Sequence, residues 1–317
     1  MSALAAGSAA AVFAPALRAQ AWPVRPLQLV IPWPPGGVTD FVGRAVADRM
    51  GVQLGQRIVV ENRAGATGRI GSEFAARAAP DGYSMLMAIS ASHTIPVAAG
   101  VPLAYSPEKD FAPVVHLVSG GVALLVNPSL NVSTLAELVA LARARPGALT
   151  VASPGAGTVS HLTGEMLKKA AAVDMRTVHY RGEAPAVTDV LGGHIDMIWV
   201  AGGREHVEAG RLKAIATSTD RRSLLYPNVP TVAESGFADF NVFGWNGFVV
   251  PVRTPPEIVQ KLNAAANAAL SSDEVRKLLL ERGLVPVGGT PQQFGKLLRD
   301  ETEQWRQLFR YAKITLE

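Results

Sequence analysis

The 317-residue chain contains no cysteine, which excludes disulfides, thiolate metal sites and thiol nucleophiles. Charge is sparse: 18% of residues are charged, and the 30 Lys and Arg never run more than two together. A nucleic-acid surface would cluster such residues and interleave aromatics, so that reading is set aside. The net charge of +4 suits the attraction of small anions instead. Beyond residue 21 no stretch offers 18 uninterrupted apolar residues, so no membrane span is expected in the mature chain. The P-loop pattern, the G-x-S-x-G elbow and H-E-x-x-H are all missing, and Gly155-x-Gly157-x-x-Ser160 is only a broken dinucleotide fingerprint. His93, His116, His161, His179, His194 and His206 show no i, i+4 pairing, so neither metal nor cofactor is expected. Ser160 and His161 are adjacent on a helix and do not face each other, and Asp189 and Asp196 read as capping or turn groups rather than an acid/base pair. No catalytic residue emerges, and the chain is read as a non-enzyme.

What is present is material for an α/β fold. Apolar residues make up 48% of a chain long enough for two lobes. Residues 1–21 stand apart as "ALAAGSAAAVFAPAL", Arg18 and Ala19-Gln20-Ala21. A short apolar run before an A-x-A site reads as a cleaved secretory leader, although a basic start is missing. "LQLVIPW" (27–33), "RIVVENR" (57–63) and "YSMLMAI" (83–89) read as three strands of one sheet. Between the first two, Phe41, Val42, Ala45, Val46 and Met50 fall on one helical stripe. "GVALLVN" (121–127), "HIDMIWV" (194–200), "RLKAIATS" (211–218) and "FNVFGWNGFVVP" (240–251) are further strands, with two amphipathic helices after them. The alternation predicts largely parallel sheets.

Two glycine loops carry the functional signal. Pro34-Pro35-Gly36-Gly37 follows a strand and precedes a helix opening with Thr39 and Asp40. Glycine lets the backbone turn sharply, and a helix N-terminus offers unpaired donors and partial positive charge, the makings of a carboxylate or phosphate site. The plainer reading is a tight turn with Thr39 as N-cap. "SPGAGTVSHL" (153–162) repeats the design with Gly155, Gly157, Thr158 and Ser160. A pair of such loops in different lobes is what gripping an anion from both sides requires.

The segments "VIPWPPGGVTDFVGRAVADRM", "IVVENRAGATGRIGSEFAARAAPDGYSML", "SPEKDFAPV", "SPGAGTVSHLTGEML", "VHYRGEAPAVTDVLGGHIDM" and "VPTVAESGF" occur in order and resemble the tripartite tricarboxylate transporter receptors, or Bug receptors. The resemblance implies a two-lobed α/β periplasmic binding protein (type II, Venus flytrap) with crossover hinge strands. It implies a periplasmic monomer that captures a small organic carboxylate and delivers it to membrane transporter subunits. Lobe 1 is then 22–120 plus 222–317, lobe 2 is 121–221, and the hinge lies near 119–125 and 215–222. By the same resemblance, Trp33, Pro34, Pro35, Gly36, Gly37, Thr39 and Asp40 grip the ligand from one side, Asp40 as support for the helix start. Ser153, Gly155, Gly157, Thr158, Ser160 and His161 grip it from the other. Ser90 and Ser92 after the third strand, and Tyr180, Gly182 and Ala184 in "YRGEAPA", line the cleft. The amides of Gly36, Gly37 and Gly157 and the hydroxyls of Thr39, Thr158 and Ser160 would supply donors.

The chain departs from the family where Val200, Ala201, Gly202 and Gly203 follow Trp199, a place where relatives often carry an acid. An amine-bearing ligand is correspondingly less expected, and walls from Trp33 and Trp199 would suit an apolar ligand body. Two other readings stand beside transport: a ligand-loaded partner of a membrane sensor kinase, and an enzyme acting on a small anion. The latter needs a nucleophile or acid/base pair that the sequence does not offer.

Overall fold

The apolar run Leu27–Ile31 forms strand β1, buried on both faces as a central parallel strand must be. The computed structural model describes residues 22–312, so the expected leader lies outside the described residues. Helix α1 (Val38–Leu54) follows and buries Val42, Val46, Ala47 and Met50, a stripe rotated slightly from the expected one because Phe41 and Ala45 sit at its margin. Gly43 lets this helix lie close on the sheet, since a Cβ there would come within 2.6 Å of Ile31 Cδ1. After β2 (Ile58–Asn62) come α2 (Arg69–Ala76), β3 (Ser84–Ile89) and two short helices, α3 (Ser90–His93) and α4 (Ile95–Ala98). Strand β4 (Phe111–Gly121) then runs straight toward a second body.

That body holds β5 (Ala123–Val126), α5 (Leu135–Ala144), β6 (Thr150–Ser153), α6 (Val159–Ala171), β7 (Arg176–His179) and α7 (Glu183–Leu191). It closes with β8 (Met197–Val200), α8 (Arg204–Glu208) and β9 (Lys213–Thr217). The chain returns through β10 (Phe243–Pro251), α9 (Pro256–Ser271), α10 (Asp273–Leu280), β11 (Val285–Gly288) and α11 (Pro291–Ala312).

Two sheets result, ordered β11-β4-β10-β3-β1-β2 and β7-β6-β8-β5-β9. Apolar side chains pack on both faces of each, giving a two-lobed α/β architecture. The expected parallel character holds only for β2-β1-β3 and β7-β6-β8. The pairings of β10 with β3 and β4, of β11 with β4, and of β5 with β8 and β9 are antiparallel. Strands that cross between lobes must enter the second sheet against the run of its βαβ units, and local alternation does not register that reversal. Strand β4 escapes the sequence reading because Pro113 and His116 interrupt it; the register shifts beside Pro113, where a ladder donor is missing.

The lobes meet at two crossings. Only Val122 separates β4 from β5, and residues 218–242 lead from β9 back to β10. Ser218, fully buried, binds both. Its backbone N–H donates to Val122 O (2.9 Å), and its carbonyl accepts from Val242 N (2.8 Å). Its hydroxyl accepts from Val122 N (2.9 Å) and donates to Val242 O (2.6 Å). Helix α11 is a third tie, with Phe294 packed against the first sheet and Trp305 and Phe309 against the core of the second.

Candidate ligand-binding cleft

Between the lobes lies a cavity of about 610 Å³. The first glycine loop forms one wall, with Trp33, Pro34, Gly36, Gly37 and Thr39 all lining it. Gly36 takes φ +87°, a conformation glycine adopts without strain. Helix α1 begins at Val38 with Gly37, rather than Thr39, at the N-cap position. No side chain caps that end, so the Gly37 amide and the Thr39 hydroxyl have no protein partner among the described residues. Asp40 stands behind the loop, outside the lining. Its carboxylate accepts from the Gly36 amide (3.0 Å), Arg44 Nε (3.0 Å) and Asn62 Nδ2 (2.8 Å). Burial works to raise this carboxyl, yet bonds from Arg44, Gly36 and Asn62 hold it below the usual carboxylate range. The Gly36 amide therefore serves the loop's own shape. Asp40→Ala orphans three donors at once and is expected to lower the unfolding free energy by about 2–3 kcal/mol in a urea titration.

The opposite wall comes from α6 and α7. Thr158 is the N-cap of α6: its hydroxyl accepts from His161 N (3.2 Å) and donates to Gly155 O (2.8 Å), so its proton is already committed. Ser153 Oγ is bound to both the amide and the carbonyl of Gly155 (3.2 and 2.9 Å). The Gly157 amide donates to His161 Nδ1 (3.1 Å). Burial, and then the ring of His179, pushes His161 down to about 4, so it is neutral and its nitrogen can accept. Thr158 and Ser160 line the cavity; Ser153, Gly155, Gly157 and His161 shape it from behind. Ser160 alone among these four hydroxyl-bearing or ring side chains makes no hydrogen bond within the described residues.

Gly182 and Ala184 also line the cavity, whereas Tyr180 turns away and donates its hydroxyl to Asp189 (2.6 Å). Asp196 accepts from the amide and hydroxyl of Thr150, 46 positions away, and Asp189 lies within α7, so both carboxylates tie separate segments together rather than serving as the capping or turn groups expected from the sequence. Ser90 lines the floor and gives its hydroxyl proton to Glu301 (2.9 Å). Ser92 is fully buried against His93 Nδ1 (2.9 Å) and does not reach the cavity. Trp199 belongs to the core of the second lobe; the second indole in the cleft is that of Trp245.

The sequence reading passes over several lining residues. Glu183 and Glu205 face the cavity, together with Arg181 and His206. Burial, and behind it the Glu205 carboxylate, pushes Glu183 up to about 7. An acid is thus supplied to the cleft from α7 and α8, although the segment after β8 lacks one. Its signal lies in plain view, between Gly182 and Ala184 of "YRGEAPA". Asn246 lines the floor and is signalled only as a lone polar side chain within an apolar strand.

The rim is closed by a contact between lobes. Thr67 Oγ1 donates to Ala156 O (3.3 Å), reaching across from the loop after β2. Gly65, Ala66, Thr67 and Gly68 all hold positive φ, at 134°, 47°, 54° and 86°. For Ala66 and the β-branched Thr67 that conformation costs about 1–3 kcal/mol each, strain kept at the place where the lobes touch.

A family model described as tripartite tricarboxylate transporter family receptor matches residues 42–314. The chain is 36% identical to Protein BugT of Bordetella pertussis, over 98% of this chain and 96% of that protein. Among solved structures it resembles R. palustris Rpa4515 with adipate: 31% identity, TM-score 0.87, 93% of this chain and 99% of that one. It also resembles MatC from Rhodopseudomonas palustris with bound malate: 33% identity, TM-score 0.84, 90% of this chain and 99% of that one.

Proposed function

This chain belongs to the tripartite tricarboxylate transporter receptor family of periplasmic solute-binding proteins, and on that premise we propose that it captures a small organic carboxylate between its lobes and hands it to membrane transporter subunits. One observation carries the reading. The Gly37 amide and the Thr39 hydroxyl on one wall, and the Ser160 hydroxyl on the other, line one cavity and have no acceptor among the described residues. Three such donors beside two helix N-termini are arranged for an anion. Each charge-assisted bond is worth about 1.5–3 kcal/mol. The adipate and malate held by the two related structures are carboxylates of the size the cavity admits.

In this reading the protein acts as a periplasmic monomer without chemistry of its own. Lobe 1 comprises 22–120 and 222–317, lobe 2 comprises 121–221, and closure bends the chain at 119–125 and 215–222, where Ser218 joins the crossings. Titration calorimetry against mono-, di- and tricarboxylates tests it: saturable binding of at least one supports the proposal, and silence from all of them defeats it. Solution scattering should show compaction on adding that ligand.

Glu183 gives the binding a pH dependence. Its folded-state value of about 7 means that it loses charge as pH falls through 7. Across the cavity from the glycine loop, the other ionisable groups of this region are Arg181, Glu205 and His206. For a ligand carboxylate at an assumed separation of about 8 Å from Glu183, Coulomb's law gives about 0.5–2 kcal/mol of relieved repulsion at effective dielectric constants of 80 to 20, or about 2- to 30-fold in affinity. Affinity is therefore expected to rise between pH 8 and pH 6, and Glu183→Gln to bind as tightly at pH 8 as the parent does at pH 6. A flat profile in the parent protein excludes this role.

A further inference from the structure

The floor of the cavity is made by the start of β10: Gly244, Trp245 and Asn246. The polar groups around it are committed. Ser90 Oγ and Trp245 Nε1 both donate to Glu301. Asn246 differs. It is 9% exposed, its Oδ1 is buried without a donor, and its amide nitrogen bonds to nothing among the described residues. Buried amides are almost always paired, and an unpaired one burdens the empty protein. Nor is this side chain on a loose segment. Its strand is central in the first sheet, with Asn246 in register with Ile89 on β3 and Val118 on β4. The amide nitrogen keeps accessible surface while Oδ1 does not, so the nitrogen is the atom that meets the cavity; with no partner among the described residues, it is completed by the guest.

We propose that Asn246 is a specificity-determining residue that selects carboxylates bearing a hydroxyl group over their unsubstituted counterparts; the inference rests on the carboxylate reading of the cleft. The chemistry favours a hydroxyl because an amide side chain presents an acceptor one way and a donor the other. A hydroxyl donates to Oδ1 or accepts from Nδ2, so it satisfies the amide whichever way the side chain is turned. An ammonium only donates, and a second carboxylate only accepts. The carboxylate end of the same guest is left to Gly37, Thr39 and Ser160.

The test is calorimetry with matched pairs: butyrate against 3-hydroxybutyrate, and succinate against malate, with 3-aminobutyrate and aspartate as the amino counterparts. The hydroxy acid of at least one pair is expected to bind about 10- to 100-fold more tightly than its parent. In Asn246→Leu that preference falls to about onefold, whatever the change in the affinity common to both acids. Asn246→Ser serves as a second variant in case leucine overpacks the floor, and thermal melts check that both fold. Parent and hydroxy acids binding alike in the unsubstituted protein overturns the inference, as does a preference that survives in both variants. Amino acids binding more tightly than hydroxy acids overturns the assignment to a hydroxyl. Binding without preference defeats this inference alone, whereas no binding by any acid defeats the carboxylate reading and the inference with it.

Discussion

Gly37→Phe removes ligand binding without unfolding the protein. Gly37 lines the cavity, and a Cβ built on it meets no atom within 4 Å, so a side chain grows into open space rather than into the core. Its backbone, at φ −81° and ψ 174°, admits any residue. A phenyl ring at this position occupies the space beside the unpaired donors of the α1 N-terminus. Denying the ligand two charge-assisted bonds costs about 3–6 kcal/mol, a loss of affinity of at least about 100-fold. Gly37→Ala, which adds one methyl group, should stay within about tenfold of the parent, the equivalent of 1.4 kcal/mol. Calorimetry on both variants, with thermal melts alongside, decides the matter: full binding by the phenylalanine variant means that this loop does not hold the ligand.

The largest effect on stability is expected at Glu301. This carboxyl is 4% exposed, and three donors from two distant segments of the chain converge on it. Ser90 Oγ lies at 2.9 Å, Thr94 Oγ1 at 2.5 Å and Trp245 Nε1 at 2.5 Å. It fastens α11 to the ends of β3 and β10, beneath the floor of the cleft. Glu301→Ala leaves a void and three buried donors without an acceptor, for an expected loss of about 3–5 kcal/mol in a urea titration. Because Ser90 and Trp245 line the cavity, ligand affinity should fall as well.

The milder Glu301→Gln keeps the volume and should cost about 1–2 kcal/mol near neutral pH. Burial raises this carboxyl above its ordinary 4.5, against the lowering effect of Thr94, Trp245 and Ser90. Above pH 4.5 the folded state consequently binds more protons than the unfolded chain, and stability from this group declines as pH rises toward the folded value. The glutamine variant lacks that slope, so its deficit against the parent should narrow from pH 5 upward. A constant deficit would mean that Glu301 is as readily ionised as an exposed carboxyl.

Much of the cleft was legible as local pattern. Apolar runs such as Leu27–Ile31 and Met197–Val200 became buried strands because nothing but a sheet interior suits them. Residues of both strand–glycine–helix turns line one cavity, Pro34 to Thr39 from the first and Pro154 and Thr158 to Ser160 from the second. Residues that occur one at a time were harder. Asn246 is a single polar side chain in β10, and Glu301 is one acid among several on an amphipathic α11. Neither position has a periodicity that reveals what lies opposite.

The division between sequence and tertiary structure follows from the range of the interactions involved. Strand runs, helix stripes and glycine turns depend on neighbours a few residues away, so the amino-acid order alone determined them and, with them, the α/β class and the two glycine-rich loops. Which donors stay free was decided only by the fold. Asp40 and His161 take the Gly36 and Gly157 amides from within their own loops, Thr158 spends its hydroxyl on Gly155, and the Gly37 amide and the Thr39 and Ser160 hydroxyls are left unpaired among the described residues. The antiparallel crossings, the knot at Ser218 and the convergence of Ser90, Thr94 and Trp245 on Glu301 join residues 24 to 211 positions apart. Hydrogen bonds act over about 3 Å, so such pairings take effect only after the chain has brought distant segments together.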